Sequence, residues 1–249
     1  MGHFESGLTS VVVIAHNGIH WTRRAVQAIL AHTGPPYELL LVDNGSTDGT
    51  GTYFQELAQQ HQHVKAILKE RNYGGYARTF AMEVARGEFI AWVDNDAEVG
   101  AGWLDTLIKA LEDPAVGATG PEGVAYRRDW GHLFHTKGWP SEQATGQKVD
   151  VLVGYCLLMR NLVYYIGFLD PTFYPAWNEE ADYCLRVKLL GYRLVVTPVP
   201  VVHHEHKTGF PGVTDVHAHI ARMNQMLIDK WEPFKHLVLE VYRQGESGQ

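Results

Sequence analysis

The first hundred residues alternate short β-branched runs with segments of helical spacing. That alternation constrains the fold more than any other feature. Ser10 to Ala15 (SVVVIA) reads as a buried strand, and Asn17-Gly18 ends it. Spacing through Ala25, Ile29 and Leu30 predicts a helix over 21–31, stopped by Gly34-Pro35-Pro36. Further strands are expected at 38–42, 64–68 and 89–93, with helices at 50–60 and 76–86. The order β-α-β-α-β-α-β predicts an α/β fold, a mostly parallel Rossmann-like sheet with helices on both faces.

Beyond it, a helix is expected at 103–111 and a strand near 116–119. Residues 120–149 form a long aromatic excursion with a hairpin near 123–127. Residues 151–159 read as one apolar strand, 179–190 as a helix, 193–196 as a strand and 213–230 as a last helix. No linker interrupts the chain, so one domain over 1–249 is expected.

Composition narrows the function. Lysine plus arginine number 21 against 28 acids, a formal charge of -7, which gives the whole chain no basic footprint for nucleic acid. Two cysteines without a CxxC pair argue against a disulfide scaffold or a Cys-rich zinc site. No apolar stretch is long enough to span a bilayer, and the N-terminus lacks a signal-peptide plan. A cytoplasmic protein is expected, with peripheral contact at the inner membrane face left open.

Polar groups recur where the strands end. Asn17, Asp43 and Asp94 each sit at or just past a strand end, where open α/β sheets bind ligands. Asp94-Asn95-Asp96 follows FIAWV directly; paired carboxylates there suit Mg²⁺ or Mn²⁺ beside a diphosphate, or form a solvated turn. Asp43 suits a base or ribose, whereas Asp48 suits a helix cap. Asn72, Gly74 and Arg78 form a third loop on the same side. Its glycines allow close backbone approach, and the arginine faces either a phosphate or solvent.

SVVVIAHNG, LLVDNGSTDGT, ERNYGGYARTFAMEVARGEFIAWVDNDAEV and NEEADYCLRVKLLGYRL, in this order, resemble the family 2 glycosyltransferases over residues 8–206. The resemblance implies the GT-A fold, with a nucleotide-sugar half (8–120) and a C-terminal acceptor and catalytic half (121–230). It implies an inverting, metal-dependent hexosyl or deoxyhexosyl transfer, in cell-surface polysaccharide or glycolipid synthesis. The donor would be a UDP-, GDP- or dTDP-sugar, and the acceptor a glycan, glycolipid or other hydroxyl. Ala15, His16 and Asn17 then border the nucleotide, and Asp43 contacts base or ribose. Asp94 and Asp96 match the outer positions of the DxD motif around Asn95. Glu179, Glu180 and Asp182 match the Glu-Asp-x-Asp stretch, with Glu180 at the base position although it is Glu instead of Asp.

The later residues also have their own chemistry. Acids in the first turn of a helix are favoured by its dipole, so Glu179, Glu180 and Asp182 need not all be functional, and Asp182 can simply pair with Arg186. Trp177 and Tyr174 suit a sugar face or the core, and Gly154 suits a close approach of donor or acceptor. His203, His204 and His206 lie near the strand end as Mn²⁺ ligands or a solvated cluster, with the choice between His203 and His204 open. Residues 207–212 read as a flap; His217 and His219 read as surface or packing residues. A sugar-1-phosphate nucleotidyltransferase and a non-catalytic sugar-nucleotide or glycan-binding module are the competing readings.

Overall fold

A computed structural model describes residues 4–136, 146–204 and 212–239, without the side chains of 133–136. The expected alternation is present: β1 (Glu5–Ala15), α1 (Ile19–His32), β2 (Tyr37–Asn44), α2 (Thr50–Gln60), β3 (Val64–Lys69), α3 (Arg78–Met82) and β4 (Gly87–Val93). Then come β5 (Ala97–Val99), α4 (Trp103–Ala110), β6 (Val116–Gly120), β7 (Gly123–Tyr126), β8 (His132–Thr136), β9 (Lys148–Val149) and β10 (Val151–Leu152). The remainder comprises β11 (Cys156–Arg160), α5 (Val163–Ile166), α6 (Glu179–Leu189), β12 (Arg193–Val196), β13 (Val201–His203), α7 (Val216–Trp231) and α8 (Lys235–Val238).

The central sheet has eight strands in the order β3-β2-β1-β4-β11-β6-β12-β9. β1 runs parallel to β2 and β4, and β12 parallel to β6, whereas β11 and β9 run against their neighbours. The sheet is mostly parallel, as expected. Both faces are covered. Val11, Val13 and Ala15 pack with Val26, Ile29, Phe54 and Trp103 on one side. Val12, Leu40, Val42 and Trp92 pack with Met82, Leu185 and Met223 on the other. Burial on both faces explains why these strands are continuous apolar runs without alternation.

Two expectations need correction. The helix expected at 76–86 is a 3-10 turn over Gly74–Ala77 followed by the short α3. It stops because the Arg86 backbone N–H donates to Glu38 Oε1 (2.7 Å) and the guanidinium pairs with the same carboxylate, turning the chain into β4. The run 151–159 is two strands in two sheets. β10 pairs with β7 in a three-stranded antiparallel sheet, and β11 joins the central sheet. Val153 to Tyr155 turn between them at Gly154, a break masked by uniform apolarity. The hairpin at 123–127 is present as β7–β8.

A third, two-stranded ribbon pairs β13 with β5, setting His203 opposite Ala97. It brings the end of the histidine run against the turn after β4. No helix among the described residues is long and apolar enough to cross a membrane.

Candidate active site

Four parallel strands open toward one edge. Ala15 lies beside Asp43 in the β1–β2 register. Asp43 is buried; its Oδ1 accepts the Ser46 N–H (3.1 Å), and a Cβ at Gly51 would stand 2.6 Å from its Oδ2. The α2 helix can approach this carboxylate only because residue 51 has no side chain. Asn17 is left-handed (φ 60°); its N–H donates to Ser46 Oγ, and its Oδ1 accepts from Thr47 N (both 2.8 Å). His16 Nδ1 lies 2.9 Å from the Asn44 carbonyl. These bonds fix the wall where the nucleotide is expected. Asp48 takes a capping part: its Oδ1 accepts the Thr50 N–H and hydroxyl, and its Oδ2 the Ile19 N–H.

Asn44 organises the third loop, a role sequence reading missed. Its amide donates to Asn72 Oδ1 (2.9 Å) and the Gly74 carbonyl (3.1 Å), and its Oδ1 accepts the Tyr73 N–H (2.8 Å). Gly74 is left-handed (φ 62°), and a Cβ there would lie 1.7 Å from the Pro175 carbonyl oxygen. The glycine admits the loop that leads to α6, rather than open space for a ligand.

Asp94, Asp96 and His203 offer ligand atoms all within 4.8 Å of one another. Asp96 is buried, with His203 Nε2 at 3.4 Å from its Oδ1. The His203 ring stacks on Tyr155 (centroids 4.4 Å apart, planes 7°), whose carbonyl accepts the Asp94 N–H. Two carboxylates with one imidazole fit a small divalent cation, and the nitrogen favours Mn²⁺ over Mg²⁺. His204 is not in this group. Its Nε2 lies 2.5 Å from Glu98 Oε1, and its ring lies tilted against Trp21 (centroids 4.7 Å apart, planes 31°). Asn95 donates to Thr22 Oγ1 (2.9 Å) on α1. His206 and residues 207–211 of the expected flap lie outside the described residues.

Arg78 is buried beneath the acids. Its Nη2 donates to Asp94 Oδ1 (2.5 Å) and lies 3.4 Å from the Gly154 carbonyl; its Nη1 is 3.6 Å from Glu179 Oε1. Burial pushes the Asp94 carboxyl above its ordinary value, while Arg78 opposes the shift. Burial also raises Glu179, again opposed by Arg78. The arginine therefore ties the turn after β4 to the start of α6.

Glu180 is half-buried beside Gly154, where a Cβ would meet its Cγ at 3.4 Å. Burial and then the Glu179 carboxylate raise Glu180 to about 8. Burial, followed by Glu180 and Asp150, pushes the Tyr126 hydroxyl up to about 12. Asp182 is fully buried. Its Oδ1 accepts from Trp231 Nε1 (2.9 Å) and Lys230 (2.7 Å), and its Oδ2 pairs with Arg186 (3.0 Å). Trp177 and Tyr174 are exposed on the loop before α6.

Fold and sequence comparisons agree. The family model for glycosyl transferase family 2 matches residues 10–168. An N-acetylglucosaminyl-diphospho-decaprenol L-rhamnosyltransferase from Mycobacterium tuberculosis is 30% identical, covering 85% of this chain and 81% of that protein. Several other curated relatives are much longer, the chain spanning 26 to 43% of their length. Among solved structures, GalNAc-T7 with UDP, GalNAc and Mn²⁺ superposes with a TM-score of 0.74 at 17% identity, over 92% of this chain and 50% of that one. A mannosyltransferase from Pyrobaculum calidifontis with GDP-Man and Mn²⁺ gives 0.66 at 20% identity, over 92% and 68%. With the matched stretch covering well over half of its length and the GT-A architecture in place, the chain belongs to glycosyl transferase family 2.

Proposed function

We propose that the protein transfers a hexosyl or deoxyhexosyl group from a nucleotide-diphosphate sugar to an acceptor hydroxyl, with inversion at the anomeric carbon. The observation that carries this reading is the convergence of Asp94, Asp96 and His203 on one side of Arg78 with Glu179 and Glu180 on the other. Asp94, Asp96 and His203 would hold Mn²⁺ or Mg²⁺, which when bound neutralises the donor diphosphate. His16, Asn17, Asp43 and Asn72 line the nucleotide side.

Glu180 accepts the proton of the acceptor hydroxyl. The freed oxygen attacks the anomeric carbon opposite the diphosphate; the new glycosidic bond forms as the carbon–oxygen bond to phosphate breaks. A carboxylate with a raised pKa is a better base than an ordinary one near neutral pH. Asp182, enclosed by two cations and an indole, supports the helix instead. The mycobacterial relative bears a lipid-linked acceptor in its name. A glycan or glycolipid acceptor in cell-surface polysaccharide or glycolipid synthesis is the corresponding reading here.

The test is a panel of UDP-, GDP- and dTDP-sugars with Mn²⁺ and glycoside or lipid-linked acceptors, followed by NMR of the anomeric proton. The expected product has inverted configuration, and Asp96→Ala forms none. A retained configuration, or full transfer by Asp96→Ala in chelator, would overturn the proposal.

A further inference from the structure

Two consecutive non-glycine residues just ahead of α6 have left-handed backbones: Trp177 (φ 93°) and Asn178 (φ 73°). Such a conformation is unfavourable for L-residues and persists only when the surroundings impose it. Here the imposing groups come from α7. Trp177 Nε1 and Asn178 Nδ2 both donate to Asn224 Oδ1, each at 2.9 Å. His219, on the same helix, is buried and donates from Nε2 to the Ala176 carbonyl (2.9 Å). Arg222 lies 3.4 Å from its Nδ1, consistent with the proton residing on Nε2.

Three successive residues, 176–178, are thus held by one helix. The segment ends at Glu179 and Glu180, so its backbone direction sets where the Glu180 carboxylate points. It also leaves Trp177 41% and Tyr174 49% exposed on the same loop. Large aromatic surface retained in a strained loop beside a base is suited to the flat C–H face of a pyranose.

Building on the transfer reading above, we propose that Asn224 is a positioning residue for a saccharide acceptor. It holds Trp177 and Asn178 left-handed, so that the aromatic loop receives the sugar ring while Glu180 meets its hydroxyl. Donor binding at Asp43, Asp94 and Asp96 does not pass through this contact. Asn224→Asp keeps the accepting oxygen, whereas Asn224→Ala removes it.

The experiment has two arms. Amide hydrogen exchange over 174–180 is compared in the wild type, Asn224→Ala and Asn224→Asp. Exchange there rises in the alanine variant alone, while 43–46 and 94–96 are unchanged. In the second arm, methyl and aryl glycosides serve as acceptors and nucleoside diphosphates with Mn²⁺ as donor-side probes. Asn224→Ala lowers transfer by up to about 100-fold, chiefly through acceptor KM, and Asn224→Asp restores most of it. Nucleoside diphosphate affinity stays within about twofold, below the tenfold that 1.4 kcal/mol would give. Unchanged exchange in the alanine variant, or equal losses of donor and acceptor binding, overturns the proposal. Absence of transfer by the wild type with every donor sinks the function reading instead, and the exchange arm still decides the positioning role.

Discussion

On the proposed donor side of the site, Asp43 lies near the end of β2 and Asp94 directly follows β4, both carried by the ladder of the central sheet. On the proposed acceptor side, Glu180 stands in the first turn of α6, and side chains rather than a ladder set its place. Asn224 and His219 hold the entry loop, Arg78 holds Glu179, and Lys230, Arg186 and Trp231 enclose Asp182. Farther along α6, Lys188 pairs with the buried Asp150, whose other oxygen accepts the Tyr126 N–H of β7. The difference teaches where each half is vulnerable. A strand end tolerates loss of a single contact because backbone bonds persist. A helix set by paired side chains does not.

The largest effect should come from the proposed cation site. Asp96→Ala removes one of the three groups proposed to hold the cation, so Mn²⁺ affinity measured by calorimetry should fall by more than the roughly 10–100-fold typical of losing a supporting partner. Thermal stability without metal should change little by comparison. Equal Mn²⁺ affinity would show that the donor side is not organised around these acids.

Next is the base. Glu180→Gln should lower transfer by about 10² to 10⁴-fold while nucleoside diphosphate binding persists. In the wild type the rate should climb with pH through about 8, because the raised carboxyl must lose its proton to act. The sign for stability is opposite. The folded carboxyl titrates about 8 against an ordinary 4.5, so its contribution is complete below 4.5 and lost as pH rises through 8. Urea melts of Glu180→Gln should lose that part of the slope.

A stability test sharpens the contrast further. Lys188→Ala removes the ammonium beside the buried Asp150, and should cost about 3–5 kcal/mol in urea unfolding. Mn²⁺ affinity of the folded variant should match the wild type; a matched loss would mean the two halves are not separately built. The smallest effect belongs to Asn95→Ala. Its hydrogen bond to Thr22 is partly exposed, so the loss should be about 1 kcal/mol or less in the same assay, with transfer unchanged.

How much of this was readable depended on the range of the interactions involved. β-branched runs and Gly-Pro stops located the first four strands, and α2 coincides with the expected 50–60, because those signals are local. The acids at the strand ends were visible for the same reason. The choice between His203 and His204 was not. It depends on β13 pairing with β5 from a hundred residues away, which sends one ring to Asp96 and the next to Glu98. The 151–159 run hid two strands because it is apolar on both sides of the break and the break is a lone glycine. Tyr155 and Asn224 carry no motif, and Asn44 sits in a turn-rich run whose own letters do not show its partners. Each acts on partners at least 28 residues distant or through ring stacking that spacing cannot register.

The β5–β13 ribbon is only three residues on each side, too short to be stable unaided. Yet it is where His203 comes to Asp96, closing a loop of about a hundred residues at an entropic cost that grows slowly with its length. A cation seated there would act as a clasp on a long loop, gripping the native chain and ignoring the unfolded one. The melting temperature would then climb with manganese concentration, so the ion proposed for the chemistry would double as a fastener for the C-terminal third of the chain.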